Sequence, residues 1–248
     1  MSSADPSPLL RELQAQEAGW ERNNLLRELY RGWMRELAGR LAEVEGLSVE
    51  LGSGIGRLRE FVPGLVTTDI ETTPWSELAV DAQCLPWEDG ALSNILLFDV
   101  LHHIPRPVLF LDEAARCLGR GGRVILIEPY CSLLSTPLYK AFHRERTDLA
   151  ADPFADHELS TIEALDSNQA LPSLLFFRRR SDFERRWPEF AIVESRRIAT
   201  LAYPLSGGWH GRPLLPRRAL GLARAAERLL QPIAPLLAFR CLVVLERR

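Results

Sequence analysis

The stretch VELGSGIG at residues 49–56 carries the strongest structural signal in the chain. Three glycines, Gly52, Gly54 and Gly56, alternate with other residues directly after a short apolar segment. Glycine tolerates a positive φ and lets the backbone approach a ligand closely. The stretch therefore predicts a strand over residues 47–51 followed by a ligand-binding turn. We expect a helix to begin near Ile55, with its free N–H groups facing the ligand.

Apolar runs and glycine-marked joints continue downstream of this turn. Residues 65–70, 78–80, 95–100 (ILLFDV) and 124–127 (VILI) are predicted strands, and residues 112–118 a helix. Continuous apolar runs are typical of strands buried on both faces of a sheet. The alternation of strands with helices predicts an α/β fold with a parallel sheet.

The segments on either side of this core have different sequence patterns. Leucines recur every three or four residues over residues 8–43, which predicts helix. After Pro129 the alternation stops, and we interpret the next stretch as an insertion over the sheet. Residues 190–198 and 237–245 are the expected last strands, with a helix at 217–230 between them.

Composition excludes several classes of protein. The chain has 248 residues, with 46% hydrophobic and 25% charged residues, so a disordered chain, a collagen-like repeat and a coiled coil are excluded. The net charge of −3 provides no basic field for nucleic acid. The four cysteines form no C-x-x-C pair, so reduced thiols are expected rather than a zinc site or disulfides. Neither a signal peptide nor a membrane helix is predicted, and we expect a cytoplasmic protein.

Asp69 is the second ligand-binding signal. It lies 17 residues after Gly52 at the end of the second predicted strand, where a carboxylate can accept hydrogen bonds from ribose hydroxyls. The alternative is an aspartate that only caps a turn. The NAD fingerprint G-x-G-x-x-G would need glycine where Arg57 stands, so a nicotinamide cofactor is disfavoured.

The pattern E-x-G-x-G-x-G at residues 50–56 resembles motif I of the class I S-adenosylmethionine-dependent methyltransferases. DAQCLPW at 81–87 resembles the D-A-x-x-L-P-F element of the same superfamily, and FDVLHHIP at 98–105 resembles its fourth-strand loop. Residues 114–124 resemble the R-x-L-x-P-G-G stretch, with Arg120 in place of the usual proline. Together with Asp69, these elements are most similar to the methyltransferase type 11 branch.

The resemblance implies a Rossmann-like seven-stranded methyltransferase sheet whose last strand is antiparallel, with helices on both faces. It implies one domain over residues 1–248, divided into N-terminal helices (1–45), a cofactor-binding core (46–130), an acceptor-side insertion after strand five (131–189) and C-terminal strands and helix (190–248). The implied cofactor is S-adenosylmethionine, and S-adenosylhomocysteine is the product. The expected cofactor-binding residues are Glu50, Gly52, Ser53, Gly54, Gly56, Asp69, Ile70, Asp81, Ala82, Asp99 and Val100.

Two histidines stand where catalytic groups are expected. Methyl transfer from a sulfonium is an in-line displacement, so positioning supplies much of the rate, and a hydroxyl acceptor gains from a nearby base. His102 and His103 follow the fourth predicted strand, and Glu128 follows the fifth at the same edge of the sheet. We expect His103 or His102 to act as base, oriented by Glu128. Alternatively, one histidine packs in the core and the other caps the helix at Pro105.

Candidate acceptor-binding residues lie in the insertion and beyond it: Tyr130, Tyr139, His143 and Trp209. His143 and Glu145 are two residues apart and would not share a helix face, so no metal site is predicted. The cluster Asp156, His157 and Glu158 is expected to be a solvated loop.

The chemical nature of the acceptor is open at this stage. Residues 128–145, 168–177 and 203–208 loosely resemble bacterial methyltransferases associated with surface-polysaccharide assembly. That resemblance implies a glycan acceptor and a hydroxyl as the attacked group, whereas the type 11 branch implies a small-molecule acceptor; a lipid-linked acceptor is a further option. The arginine-rich helix at 217–230 could touch an anionic membrane or be an ordinary surface helix. The alternatives are an N- or C-methyltransferase, and a non-catalytic protein that uses the cofactor fold for binding or assembly. The oligomeric state is not predicted.

Overall fold

The computed structural model describes residues 5–143, 145–155, 167–209 and 211–248. Within these residues one sheet of seven strands forms in the order β3-β2-β1-β4-β5-β7-β6. Its strands are β1 (Leu47–Leu51), β2 (Val66–Asp69), β3 (Leu78–Ala79), β4 (Leu92–Phe98), β5 (Leu118–Pro129), β6 (Phe190–Ile198) and β7 (Arg240–Arg247).

The strand directions place the carboxyl ends of β1, β2, β4 and β5 at one edge of the sheet. These strands pair in parallel, whereas β7 runs antiparallel between β5 and β6. The first residue of β7, Arg240, therefore pairs with the last residue of β5, Pro129, at this same edge. The Rossmann-like seven-stranded fold predicted from sequence, with an antiparallel last strand, is confirmed.

Helices cover both faces of the sheet. They are α1 (Pro8–Arg22), α2 (Asn24–Ala38), α3 (Pro107–Cys117), α4 (Ser135–Phe142), α5 (Leu171–Ser173), α6 (Arg180–Arg186), α7 (Ala202–Leu205), α8 (Leu220–Leu230) and α9 (Ala234–Leu237). One face of the sheet packs against α3 and the α5–α6 segment. The other packs against α1 and α2, which bury Leu13, Trp20 and Leu26. None of the helices in the described ranges is long and apolar enough to cross a membrane.

The predicted helix near Ile55 is wrong. A single 3-10 turn, Leu58–Glu60, joins β1 to β2. Only six residues separate Gly56 from Pro63, and a helix that short is unstable in isolation because its first turn is costly to form. The helix N-terminus invoked for ligand binding is therefore absent from this joint, and any ligand contact there must come from the glycine backbone and neighbouring side chains.

Several boundaries also differ from the sequence predictions. The helical stretch 8–43 is interrupted at Asn23, whose side chain accepts a hydrogen bond from the Leu26 N–H (3.1 Å) and caps α2. The last strand begins at Arg240 rather than at residue 237, because α9 runs to Leu237. Asp156, His157 and Glu158 lie outside the described residues.

Candidate active site

The glycine turn after β1 lies directly against the loop after β4. Gly52, Gly54 and Gly56 have φ values of +63°, +53° and +63°, a region that costs other residues roughly 1–2 kcal/mol. A Cβ on Gly52 would lie 2.6 Å from Cγ2 of Val100. The turn thus needs glycine both for its conformation and for its packing.

Asp69 closes this turn from the side of β2. One carboxylate oxygen accepts a hydrogen bond from the Gly54 N–H (3.0 Å) and the other from the Ile70 N–H (2.9 Å). Burial raises the pKa of Asp69, and the two backbone donors oppose that rise. The carboxylate therefore lies beside the glycine turn, at the edge where ligands bind in open α/β sheets.

Glu50 is a buried carboxyl group near the end of β1. It is 3% exposed, and its Oε2 has no hydrogen-bond partner among the described residues. Burial raises its pKa to about 8, against the opposing effect of Arg59 and with a further contribution from Asp69. An unpaired buried carboxyl group in the strand that leads into the glycine turn suits a positively charged ligand, because such a ligand favours its ionised form.

The remaining predicted cofactor residues continue along this edge. The Val80 N–H donates to the Asp69 carbonyl (2.8 Å), which brings the predicted adenine segment, Asp81 and Ala82, close to Asp69. Asp81 is exposed and accepts from the Gln83 N–H (2.9 Å). Ser53 is buried within the turn, and its hydroxyl has no partner among the described residues.

Asp99 is held by residues that the sequence analysis missed. It has a φ of +60° although it is not glycine, and its carboxylate pairs with the buried guanidinium of Arg240. Arg240 also donates to the hydroxyls of Tyr30 (3.0 Å) and Tyr203 (3.1 Å). Arg240 could have been found from the sequence, because it is an arginine at the start of an otherwise apolar strand. Nothing in the sequence pattern marked the two tyrosines.

Five side chains form what we term the histidine cluster: His102, His103, Glu128, Glu145 and Gln169. Glu128 is fully buried and accepts from the N–H groups of Val100 (2.8 Å) and Leu101 (2.7 Å), and its other oxygen lies 2.6 Å from His102 Nδ1. Glu128 therefore orients His102 and not His103. The imidazole centroids of His102 and His103 are 4.2 Å apart.

The two histidines have opposite electrostatic environments. Burial disfavours the charged form of His102, but Glu128 and Glu145 outweigh it and raise the pKa to about 10. Burial and the adjacent His102 lower the pKa of His103 to about 4. Burial of Glu145 is outweighed by both histidines and by Gln169, which lower its pKa to about 2. At neutral pH the metal-free cluster thus contains one charged and one neutral imidazole.

The four predicted acceptor residues are not brought together in one pocket wall. The Tyr139 hydroxyl donates to the Phe239 carbonyl and is buried. Tyr130 is also buried and its hydroxyl accepts from Arg197 Nε (2.9 Å). His143 lies beside the histidine cluster through Gln169 (2.9 Å), whereas Trp209 donates to Tyr30 (3.1 Å) and stacks on Trp20 near α1. Their roles stay predictions.

Comparisons with known proteins agree with the geometry. Residues 49–126, from β1 into β5, match the model of a family described as methyltransferase domain. No curated protein sequence matches the chain. The matched segment is the one that forms the glycine turn, Asp69 and the loop after β4, and the match supports S-adenosylmethionine as the cofactor.

Solved structures show the same fold at low sequence identity. One is a methyltransferase from Thermotoga maritima, a possible histamine N-methyltransferase (14% identity, TM-score 0.56, covering 97% of this chain and 100% of that one). Another is phosphoethanolamine N-methyltransferase 2 from Haemonchus contortus with S-adenosylmethionine (14%, TM-score 0.52, 96% and 57%). A third is the [4+2]-cyclase SpnF (16%, TM-score 0.51, 96% and 92%). At these identities the likeness concerns the fold alone.

The residues present fit this cofactor. Oε2 of Glu50, which has no partner among the described residues, suits a molecule that carries positive charge, and the positive φ of Gly54 holds the backbone of the turn beside Asp69. Asp69 lies one strand away, where ribose hydroxyls would be held.

Proposed function

We propose that the chain is an S-adenosylmethionine-dependent methyltransferase that methylates a hydroxyl group of a small-molecule or glycan acceptor. The observation that carries the proposal is the arrangement at the carboxyl edge of the sheet. There a glycine turn with three positive φ values is closed by Asp69 and adjoins Glu50, whose Oε2 has no hydrogen-bond partner among the described residues. The methyltransferase domain match covers this same segment.

S-adenosylmethionine, when bound, supplies a methyl group on a sulfonium, which an acceptor oxygen can displace in line. In this proposal the glycine turn and Glu50 hold the amino-acid end of the cofactor, Asp69 holds the ribose, and Asp81 with Ala82 meets the adenine. Ile70 and Ser53 complete the binding edge. Val100 packs on Gly52, so the cofactor turn and the loop that carries the histidines are positioned together.

His103 is the proposed proton acceptor for the hydroxyl. It is the partly exposed member of the pair, and its Nδ1 has no hydrogen-bond partner among the described residues. His102 is enclosed between Glu128 and Glu145 and acts as a positioning residue for this loop. General-base help of this kind contributes about 10²–10⁴-fold to a rate.

Exposed apolar side chains in the C-terminal helices support a lipid-linked acceptor. Leu222 and Leu229 of α8 are 76% and 82% exposed, and Ile233 and Leu236 beyond its end are 45% and 51% exposed. Leu134 donates its N–H to the Leu236 carbonyl (3.0 Å), so the insertion continues this surface. Apolar groups next to arginines are typical of segments that lie at an anionic membrane surface.

The test is a screen for methyl transfer. The purified chain is incubated with methyl-labelled S-adenosylmethionine and a panel of nucleotide sugars, lipid-linked glycans, phenols and amines. Release of S-adenosylhomocysteine with a labelled hydroxyl acceptor supports the proposal, and His103→Gln should then lower kcat about 10²–10⁴-fold at unchanged cofactor affinity. A labelled methyl group on a nitrogen or carbon atom of the acceptor would contradict the proposed transfer to a hydroxyl group.

A binding protein on the same fold is the alternative from another class. One of the similar structures, the [4+2]-cyclase, has this fold but is named for a reaction other than methyl transfer. Cofactor binding alone therefore does not establish methyl transfer. Tight cofactor binding without release of S-adenosylhomocysteine across the whole panel would favour this alternative.

A further inference from the structure

Two imidazoles and one carboxylate converge at the outer side of the histidine cluster. Nε2 of His102 and Nε2 of His103 each lie 3.7 Å from an oxygen of Glu145. One ligating atom from each of the three residues falls within 4.8 Å of the others. Since zinc binds imidazole nitrogen and carboxylate oxygen at about 2.0–2.2 Å, a modest contraction would place all three around one ion.

Glu128 already supports this triad on the His102 side. Glu128 lies 2.6 Å from His102 Nδ1, which keeps a proton on that nitrogen and directs Nε2 toward Glu145, so that an ion would replace the proton on Nε2. Glu128 cannot rotate away, because its other oxygen is held by two backbone N–H groups. Carboxylate–histidine–metal arrangements of this kind orient ligands in known metal sites.

The Glu145 side is supported by a buried amide. Gln169 is 1% exposed, and its Nε2 donates to Glu145 and lies 2.9 Å from His143 Nδ1. Its Oε1 has no partner among the described residues, and neither has His103 Nδ1. Buried polar atoms are normally paired, so unpartnered atoms beside a converging ligand set indicate a missing polar component.

The charges and the donor atoms of the cluster indicate which kind of ion would fit. Two carboxylates, Glu128 and Glu145, face the imidazoles, and a divalent ion between neutral imidazoles would balance both. Two nitrogens and one oxygen suit zinc, iron(II), cobalt or nickel, whereas magnesium and calcium prefer oxygen ligands only.

We propose that His102, His103 and Glu145 bind one divalent transition-metal ion on the acceptor side of the cofactor site. The sequence analysis predicted no metal because it considered only His143 with Glu145, whereas these ligands come from two loops about 40 residues apart. The consequence for catalysis rests on the proposed function: a hydroxyl bound to the ion would lose its proton to water more easily, and His103 would then serve as a ligand instead of as the proton acceptor.

Cobalt(II) is the probe for this site. The full-length chain is stripped with EDTA and titrated with Co²⁺ alone, without cofactor or acceptor. We expect visible d–d absorption that saturates at one ion per chain, is displaced by Zn²⁺ and is unaffected by equimolar Mg²⁺. A titration without such saturation would overturn the proposal.

Variants locate the ion. Glu145→Gln and, separately, His103→Gln should weaken Co²⁺ binding at least ten-fold. Asp148→Asn is the same acid-to-amide change in the same loop and should not weaken Co²⁺ binding. Unchanged spectra for Cys84→Ser would exclude the exposed thiol as a ligand. Circular dichroism and S-adenosylmethionine affinity confirm that each variant is folded. Equal Co²⁺ affinity in Glu145→Gln and the wild type would overturn the site, whereas failure to bind S-adenosylmethionine would overturn only the proposed function.

Discussion

At the scale of single residues, Gly52 joins the two loops on which the site depends. Two separate features require glycine at this position. Its φ is positive, and an added Cβ would lie only 2.6 Å from Cγ2 of Val100. Gly64 has a similar φ of +72°, but nothing lies within 4 Å of the Cβ it would gain. The two positions therefore separate backbone strain from steric overlap.

Gly52→Ala should lower the free energy of unfolding by about 2–5 kcal/mol, the sum of left-handed strain and overpacking. It should also abolish binding of S-adenosylmethionine, because Val100 or the turn must move. Gly64→Ala should cost only about 1–2 kcal/mol and leave binding unchanged. Urea unfolding and calorimetric titration measure both effects. Equal losses of stability and binding in the two variants would contradict the packing role of Gly52.

Glu50 should make the ligand-free protein less stable as pH rises. The carboxyl ionises near pH 4.5 when unfolded and near 8 when folded, so between these values the folded state holds the extra proton. Raising pH through this window therefore favours unfolding, by about 3–5 kcal/mol in total.

Glu50→Gln should remove this dependence, so its stability relative to the wild type should grow from pH 5 to pH 8. Glu77→Gln is the matched control, because Glu77 is an exposed acid that also lies near Arg59 (3.7 Å). Urea unfolding at several pH values gives the comparison. A constant difference between Glu50→Gln and the wild type over this range would rule out a buried neutral carboxyl.

At the scale of elements, the sheet was predictable and much of its covering was not. Apolar runs and glycine joints marked β1, β2, β4 and β5, because strands buried on both faces have few polar residues. The helix expected after Gly56 did not form, since its segment is short and ends at Pro63. The long N-terminal helices cover that face of the sheet instead, which no local pattern reveals.

The candidate site, too, was predictable from the sequence only in part. Motif spacing predicted that Asp69 and the glycine turn lie at the same edge of the sheet, because each immediately follows a strand. The partner of Asp99 could not be found so simply, since Arg240 meets it only through the antiparallel pairing of β7. Glu145 likewise joins the histidines from a separate loop.

Helix α1 should contribute to cofactor affinity by holding the glycine turn. Glu17 accepts from Trp75 Nε1 (3.3 Å) and from Arg57 Nη2 (3.4 Å), which bracket the turn. Because partly exposed pairs of this kind are worth about 0–1 kcal/mol, Glu17→Gln should weaken S-adenosylmethionine binding by up to about five-fold. Glu12→Gln, the same acid-to-amide change at another half-buried position of this helix, should have no effect. Identical dissociation constants for both variants would exclude this role of α1.

At the scale of the whole molecule, the carboxyl edge of the sheet brings two groups of residues together. The glycine turn, Glu50 and Asp69 belong to the β1–β2 side, and the histidine cluster follows β4 and β5. Val100 contacts the turn, while its N–H donates to Glu128. The proposed cofactor edge and the histidine cluster are therefore linked through one short loop.

The most direct measurement is thermal unfolding of the purified chain with S-adenosylmethionine, S-adenosylhomocysteine or NAD. A ligand at 100 times its dissociation constant adds about 2.7 kcal/mol to the free energy of unfolding, which for this size raises Tm by roughly 5–10 °C. We expect that rise with the first two ligands, none with NAD, and none with any ligand for Gly52→Ala. A rise with NAD alone, or no rise in the wild type with any of the three, would contradict the assignment of this edge as an S-adenosylmethionine site.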